Sequence, residues 1–152
     1  LHAAKGIRDA GGSPDITTGY VKKVRVDDSE KPLVRTVEGI DDLSDRTVIM
    51  SDDEILSGRS LILCAETAKA KGANDIYAFI THAILSGDAV KSIEESPITK
   101  LYITDTVEFN REAAQKITGG PLTKIETLSV AHIFAEAIKR IHQGRSLSSL
   151  FL

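Results

Sequence analysis

Short apolar segments alternate with amphipathic segments of helical length along most of this chain. Residues 46–51 have an almost continuous apolar centre, which is typical of a strand in a sheet covered on both faces. Residues 60–71 carry apolar side chains at helical spacing and therefore predict a helix. The other predicted elements are strands at 16–26, 33–37, 75–80, 100–104 and 123–128 and helices at 88–95 and 130–142. This alternation predicts an α/β fold with a mostly parallel sheet flanked by helices.

The composition restricts the functional classes that the chain can belong to. At 152 residues it is long enough for one ordinary domain with a sizeable core. The net charge of −3 and the absence of Trp give no sign of a nucleic-acid-binding surface. No apolar run approaches the roughly 18 residues of a membrane span. A single cysteine, Cys64, excludes an internal disulfide framework and fits a reducing cytosol. We therefore expect a cytoplasmic protein with no nucleic-acid or membrane partner.

The segment after the predicted strand 46–51 combines two carboxylates with a short Ser/Gly turn that opens the next helix. The carboxylates belong to Asp52 and Asp53, and the turn occupies residues 57–60. The N–H groups and dipole of a helix N-terminus attract a phosphate, while carboxylates bind sugar hydroxyls or a hydrated metal ion. An Asp that merely caps the helix explains the same pattern, although one carboxylate would suffice for capping. Both interpretations stay open on the pattern alone.

The N-terminal segment has the character of an internal part of a protein. Residues 1–10 read as the middle of a helix, begin without an initiator Met and lack the layout of a signal peptide. We therefore expect the chain to belong to a longer protein whose missing portion lies upstream.

Three segments are similar to those of one known family. The first is the strand with its Asp pair and Ser/Gly turn. The second is 72–89, which is similar to a Gly-Ala…Tyr-Ala…Thr-His-Gly…Ser-Gly-Pro-Ala pattern and is followed by 103–106. The third and most specific is the C-terminal signature in 128–151. Together they resemble ribose-phosphate diphosphokinase, also called phosphoribosyl pyrophosphate synthetase, over most of 16–151.

The resemblance implies a fold and a reaction. The fold would be type I phosphoribosyltransferase-like, with residues 1–152 as a single C-terminal domain and the N-terminal ATP-binding half outside this chain. The reaction would transfer the diphosphate of Mg-ATP to the anomeric hydroxyl of ribose 5-phosphate, which depends on positioning and charge stabilisation. The implied partners are ribose 5-phosphate and ATP, the implied cofactor is Mg²⁺ with ATP, and the implied assembly is a homo-oligomer. The isolated chain would have little or no activity.

The resemblance also implies roles for individual residues. Asp52 and Asp53 would bind the ribose hydroxyls. The 5-phosphate would be surrounded by the residues of the turn, which are Ser57, Gly58, Arg59 and Ser60. Lys23 and Arg25 occupy the place of the family's mobile Lys-Arg-Arg loop, where they would act as catalytic cations that stabilise charge on the transferring diphosphate. A solvated strand end explains these two cations equally well.

Two residues depart from the family's phosphate loop. Leu56 stands in place of a polar residue, and Arg59 stands where a glycine normally lets the backbone approach phosphate closely. The Arg59 guanidinium would either bind phosphate itself or fill the site. The alternative function is therefore a non-catalytic regulatory or assembly subunit with an impaired loop. A phosphoribosyltransferase shares the Asp-pair loop, but the C-terminal signature argues against it.

The four histidines do not have the spacing of metal ligands. We interpret His82, at the end of a predicted strand, as hydrogen-bonded to a loop, although in the family this neighbourhood lies near nucleotide and regulatory phosphate sites. His132 and His142 are interpreted as structural or intersubunit residues. Asp105 and Thr106 follow another predicted strand and are candidates to line the same cleft.

Overall fold

A computed structural model describes residues 16–24, 33–38 and 41–150. The chain divides into two compact units. The larger unit is Gly19–Leu128, and the smaller unit combines Leu1–Thr18 with Ser129–Leu152.

The larger unit contains two sheets. Strands β1 (Tyr20–Val24) and β2 (Leu33–Glu38) pair antiparallel in a two-stranded sheet. The main sheet has four parallel strands in the order β3-β4-β5-β6. Their bounds are β3 Thr47–Ile55, β4 Asp75–Ala83, β5 Lys100–Thr104 and β6 Ile125–Leu128. The predicted α/β fold with a mostly parallel sheet is confirmed.

Three helices connect the parallel strands of the larger unit. They are α1 (Arg59–Ala70), α2 (Ala89–Glu95) and α3 (Arg111–Thr118). The smaller unit contributes α4 (Ala131–His142) and a short 3-10 turn at Ser148–Leu150. The predicted helices at 60–71, 88–95 and 130–142 agree with α1, α2 and α4 to within one residue at each end.

Helix α3 was not predicted. It is only eight residues long, is polar on average and buries a single side chain, Ala114. Its ends carry ordinary signals, because the Asn110 side chain accepts a hydrogen bond from the Ala113 amide at 2.9 Å and Gly119 ends the helix with φ +74°. These two capping residues were the signal that sequence reasoning missed.

Strand β3 is longer than predicted. The prediction ended it at Ser51, before the two aspartates, whereas the strand continues to Ile55. Its pairing with β4 continues from Asp52 opposite Ile80 to Ile55 opposite Ala83, and the Ile55 side chain is buried. The buried residue at the end of the strand therefore keeps a polar stretch in extended conformation.

The core of the larger unit lies between the three helices and one face of the parallel sheet. Alternate strand residues point into it, as expected from the two-residue repeat of a strand. They include Ile76, Ala78, Ile80, Leu101, Ile103 and Ile125, and the helices add Ala65, Ala68, Ala89, Val90, Ile93 and Ala114.

The opposite face of the main sheet keeps apolar side chains exposed. Ile49 is 48% exposed, Phe79 40% and Leu128 46%. Phe79 also stacks on Tyr102, with ring centroids 4.9 Å apart. The three described helices of this unit pack on the other face, so cover on both faces of the sheet stays a prediction.

Glu94, in α2, fixes the entry to β6. Its carboxylate accepts hydrogen bonds from the Thr123 amide at 3.0 Å, the Thr123 hydroxyl at 2.8 Å and the Lys124 amide at 3.0 Å. Partial burial acts to raise the pKa of the Glu94 carboxyl, but these hydrogen bonds together outweigh it and lower the pKa below its ordinary value of 4.5. The ionised carboxylate therefore holds α2 and β6 together.

Helix α4 has an exposed apolar side. Ile133, Phe134, Ile138 and Ile141 are all exposed, and no residue of the helix is buried. On its polar side, Arg140 forms an ion pair with Glu136 at 2.7 Å and donates hydrogen bonds to the Ser146 carbonyl and the Ser149 hydroxyl. These contacts hold the 3-10 turn against the helix.

Candidate functional site

The predicted phosphate loop connects β3 to α1. After Ile55 the chain turns through Leu56 and Ser57 to Gly58, which is the N-cap residue of α1 and has φ +73°. This left-handed conformation strongly favours glycine. The Gly58 carbonyl accepts the first hydrogen bond of the helix from the Ile62 amide at 2.9 Å. The amides of the first turn are thus left facing the loop, as at any helix N-terminus.

The N-cap residue of α1 is Gly58, which has no side chain that could cap the helix. The Asp52 carboxylate accepts a hydrogen bond from the Asp53 amide at 3.0 Å, inside the strand. Helix capping and ligand binding by the Asp pair therefore both stay predictions.

The segment after β4 supports the backbone of the loop. The Ile84 amide donates to the Ile55 carbonyl at 3.0 Å, and the Ser86 amide donates to the Leu56 carbonyl at 2.9 Å. The Ser86 hydroxyl also donates to the Leu56 carbonyl, at 3.3 Å. These bonds hold the carbonyls at the start of the loop, so the turn is fixed on the side of β4.

A cavity of about 150 Å³ lies in the loop. It is lined by Asp52, Glu54, Ile55, Leu56, Ser57, Gly58, Arg59, Ser60, Leu61 and Ile80. Five of the six predicted substrate-binding residues line it, while Asp53 does not. Pockets for drug-sized ligands measure about 300–1,000 Å³, so this cavity fits a phosphate group and part of a sugar better than a nucleotide.

Charged groups of both signs meet at this cavity. Arg59 is exposed at the first position of α1, and its guanidinium forms no hydrogen bond or ion pair with the described residues. Asp52 and Glu54 are exposed on the strand side of the same cavity. The site therefore offers a cation and helix amides at one end and carboxylates at the other. That distribution suits a ligand with a phosphate and hydroxyl groups.

Glu54 is a residue that sequence reasoning missed. It lies two residues after Asp52 in β3, so both side chains project from the same face of the sheet. The alternation of carboxylates along a strand was the available signal. It was hidden because the strand was predicted to end before them.

The two predicted catalytic cations are not positioned at this cavity by the structure. Lys23 lies in β1, where its backbone pairs with Val34 and the register shifts between Lys22 and Lys23. The Lys23 side chain and the whole of Arg25 lie outside the described residues. Their catalytic role stays a prediction.

His82 makes the kind of contact that was predicted for it. Its Nδ1 lies 2.9 Å from the Thr106 hydroxyl, in the turn after β5. The Thr106 hydroxyl lies 2.7 Å from the Thr81 carbonyl and donates to it. Asp105 donates its amide to the Leu128 carbonyl at 3.2 Å. The prediction that His82 is hydrogen-bonded to a loop is confirmed.

In the part of the chain that the structure describes, no group of three or more His, Cys, Asp or Glu side chains is arranged to hold a metal ion. In the same ranges, every helix is too short or too polar to cross a membrane.

A surface depression of about 630 Å³ lies at the end of α3, away from the loop. It is wide open to solvent and includes none of the predicted site residues. The loop cavity is smaller, but it collects the helix N-terminus, the carboxylates and the unpaired guanidinium, so it is the better candidate site.

Comparison with known proteins identifies relatives of this chain. Residues 10–152 match the family model described as the phosphoribosyl synthetase-associated domain. Ribose-phosphate pyrophosphokinase A from Dictyostelium discoideum is 34% identical over 149 residues, which is 94% of this chain and 45% of that protein. Phosphoribosyl pyrophosphate synthase-associated protein 1 from Rattus norvegicus is 42% identical over 122 residues, which is 80% of this chain and 32% of that protein. The chain thus spans less than half the length of these relatives.

A solved structure shares the fold. The crystal structure of phosphoribosylpyrophosphate synthetase from Mycobacterium smegmatis matches with a TM-score of 0.66 and 22% identity. The match covers 93% of this chain and 41% of that chain. The predicted fold is confirmed by this likeness.

Proposed function

This chain belongs to the phosphoribosyl synthetase-associated domain family, and on that premise we propose that it is the ribose 5-phosphate-binding part of a ribose-phosphate diphosphokinase. The whole protein would move the diphosphate of Mg-ATP to the anomeric hydroxyl of ribose 5-phosphate. The observation that carries this proposal is the loop cavity, where the N-terminus of α1 and the unpaired Arg59 guanidinium oppose the Asp52 carboxylate.

The phosphate of the substrate would occupy the helix end of the cavity. Amides of the first turn of α1 and the hydroxyls of Ser57 and Ser60 are suited to its oxygens. Arg59 would add a charge-assisted hydrogen bond, a class that contributes about 1.5–3 kcal/mol. The guanidinium would thereby replace the close backbone contact that a glycine allows at this position in the family.

The ribose would extend toward the carboxylates. Asp52 lines the cavity and would accept hydrogen bonds from vicinal hydroxyls. Asp53 follows it in the strand, and we assign it to the same hydroxyls or to the hydrated Mg²⁺ that accompanies ATP. Such ions are ordinarily held by one or two carboxylates together with substrate phosphates, and the Asp52 carboxylate at the cavity fits that requirement.

The other steps of the proposed reaction depend on residues outside the loop cavity. Lys23 and Arg25 are proposed to stabilise charge on the transferring diphosphate. Most ATP contacts would come from an upstream half of a longer protein, to which residues 1–152 are attached as a single C-terminal domain. We propose a cytoplasmic homo-oligomer for that protein and little activity for this chain alone.

The alternative is a non-catalytic regulatory or assembly subunit. Two departures in the loop favour it: Arg59 in the place of a glycine, and Leu56, whose side chain is 54% exposed at the cavity instead of a polar group. One of the relatives is itself a synthase-associated protein. In this alternative the fold persists while affinity for the sugar phosphate is lost.

Calorimetric titration with ribose 5-phosphate separates the two functions. We expect micromolar binding that is abolished by Asp52→Asn and retained by Glu112→Gln, which makes the same charge change on the exposed surface of α3. Absence of binding by the folded, normally assembled wild-type protein would reject the enzyme function. Binding that depends on Asp52 would reject the alternative, because the alternative requires that the site has been lost.

A further inference from the structure

Beyond the loop itself, the register of β3 and β4 extends the site to a histidine. Asp52 pairs with Ile80, and two residues further along Glu54 pairs with His82. Paired residues of neighbouring parallel strands project from the same face, and so do residues two apart in one strand. Asp52, Glu54 and Ile80 line the cavity, so His82 occupies the adjoining position at its edge.

The hydrogen bonds around His82 define which of its ring nitrogens is available. The Thr106 hydroxyl has one proton, and the Thr81 carbonyl at 2.7 Å and the Thr104 hydroxyl at 2.9 Å are both acceptors for it besides the imidazole. The 2.9 Å contact between His82 Nδ1 and that hydroxyl is therefore best satisfied when Nδ1 carries the proton and donates it. Nε2 then bears a lone pair, and it has no hydrogen-bond partner in the described part of the chain.

With Nδ1 donating to Thr106, Nε2 of His82 is an acceptor for a hydroxyl group. Its register partner Glu54 lines the cavity and provides a carboxylate as a second acceptor, while Arg59 and the N-terminus of α1 form the phosphate end. Two neighbouring acceptors match the vicinal hydroxyls of a sugar, which inorganic phosphate lacks.

We propose that His82 is a binding residue for the sugar hydroxyls of the phosphorylated ligand and that Thr106 is the residue that positions it. This inference rests on the proposed function, since it assigns further contacts to the same ligand. It predicts a division of labour: Arg59 and the loop bind the phosphate, while Asp52, Glu54 and His82 bind the sugar.

The test compares two ligands on the same variants of the full chain. Binding of ribose 5-phosphate and of inorganic phosphate is measured by calorimetry for wild type, His82→Ala, His82→Gln, Thr106→Val and Arg59→Ala. His82→Ala is expected to weaken ribose 5-phosphate about tenfold and leave inorganic phosphate unchanged, since one hydrogen bond is lost. His82→Gln restores an acceptor and should recover part of the affinity. Thr106→Val should weaken only the sugar phosphate, and Arg59→Ala should weaken both ligands.

The outcomes separate this inference from the proposed function. If wild type does not bind ribose 5-phosphate, the proposed function fails, and the role of His82 fails with it. If wild type binds it but His82→Ala and His82→Gln bind it as tightly, the inference is overturned and the function stands. Equal weakening of both ligands by His82→Ala would also overturn it, because that is the result of a structural role.

Discussion

Gly72 provides the sharpest test of how the end of α1 is attached to the larger unit. It follows the helix with φ +96°, and a Cβ atom at this position would lie 2.9 Å from Ser44 Oγ and 3.2 Å from the Ser44 backbone. A left-handed conformation costs a non-glycine residue roughly 1–2 kcal/mol, and overpacking adds about 1–3 kcal/mol. The alanine variant has a less flexible unfolded chain, and this stabilises the folded protein by about 0.4–1 kcal/mol. Gly72→Ala should therefore lower the free energy of unfolding by about 3 kcal/mol.

Gly119→Ala is the matched control for this experiment. Gly119 also has a left-handed conformation, with φ +74°, but nothing lies within 4 Å of an added Cβ. At Gly119 only the strain of the left-handed conformation and the entropy of the unfolded chain contribute, so the free energy of unfolding should fall by about 1 kcal/mol. Urea unfolding followed by circular dichroism measures the stability of both variants. Gly72→Ala should unfold at the lower urea midpoint, with the dependence of the unfolding free energy on urea unchanged. Equal midpoints for the two variants would refute the close approach of Gly72 to Ser44.

The other predictions concern the loop, α2 and α3. Gly58→Ala should lower the free energy of unfolding by about 1 kcal/mol, because Gly58 has φ +73° while the nearest atoms to an added Cβ are 3.5 Å away. The same variant should bind ribose 5-phosphate more weakly. Unchanged affinity would argue against the loop geometry. Glu94→Gln should lower the free energy of unfolding by about 1 kcal/mol at neutral pH, since a half-buried charged hydrogen-bond acceptor is lost. The pKa of the Glu94 carboxyl is lowered in the folded protein, so its contribution is present above 4.5 and is lost as the pH falls below that value. Urea unfolding at neutral and acidic pH should show the two proteins converging in acid, and a constant difference would contradict this. Asn110→Ala should cost about 1 kcal/mol by removing the cap of α3, and no change in the urea midpoint would mean that the cap is not formed in solution.

The elements with strong periodicity could be predicted from the sequence. Helix α1 has apolar residues at helical spacing, and the strands of the main sheet have apolar centres that only a covered face explains. Helix α3 was not predicted because it is only eight residues long, is polar on average and buries a single alanine, Ala114. The end of β3 was not predicted because polar residues in a strand have the sequence pattern of a turn, and only the pairing with β4 distinguishes the two.

Most residues that line the loop cavity could be identified from the sequence, but their arrangement could not. The turn 57–60 and Asp52 could be identified from their order along the chain, and they line one cavity. The contact between His82 and Thr106 joins residues 24 positions apart, so no local pattern contains it. Glu54 joins the cavity only because β3 runs on past the Asp pair.

The central claim is that the loop between β3 and α1 binds a sugar phosphate. Its most direct test is a titration of the isotopically labelled protein with ribose 5-phosphate, followed by amide chemical shifts in NMR spectra. The account predicts saturable shifts of Ser57, Arg59 and Ser60 and of Asp52 across the cavity. Shifts confined to the surface around 112–121, or none at saturating ligand, would contradict it.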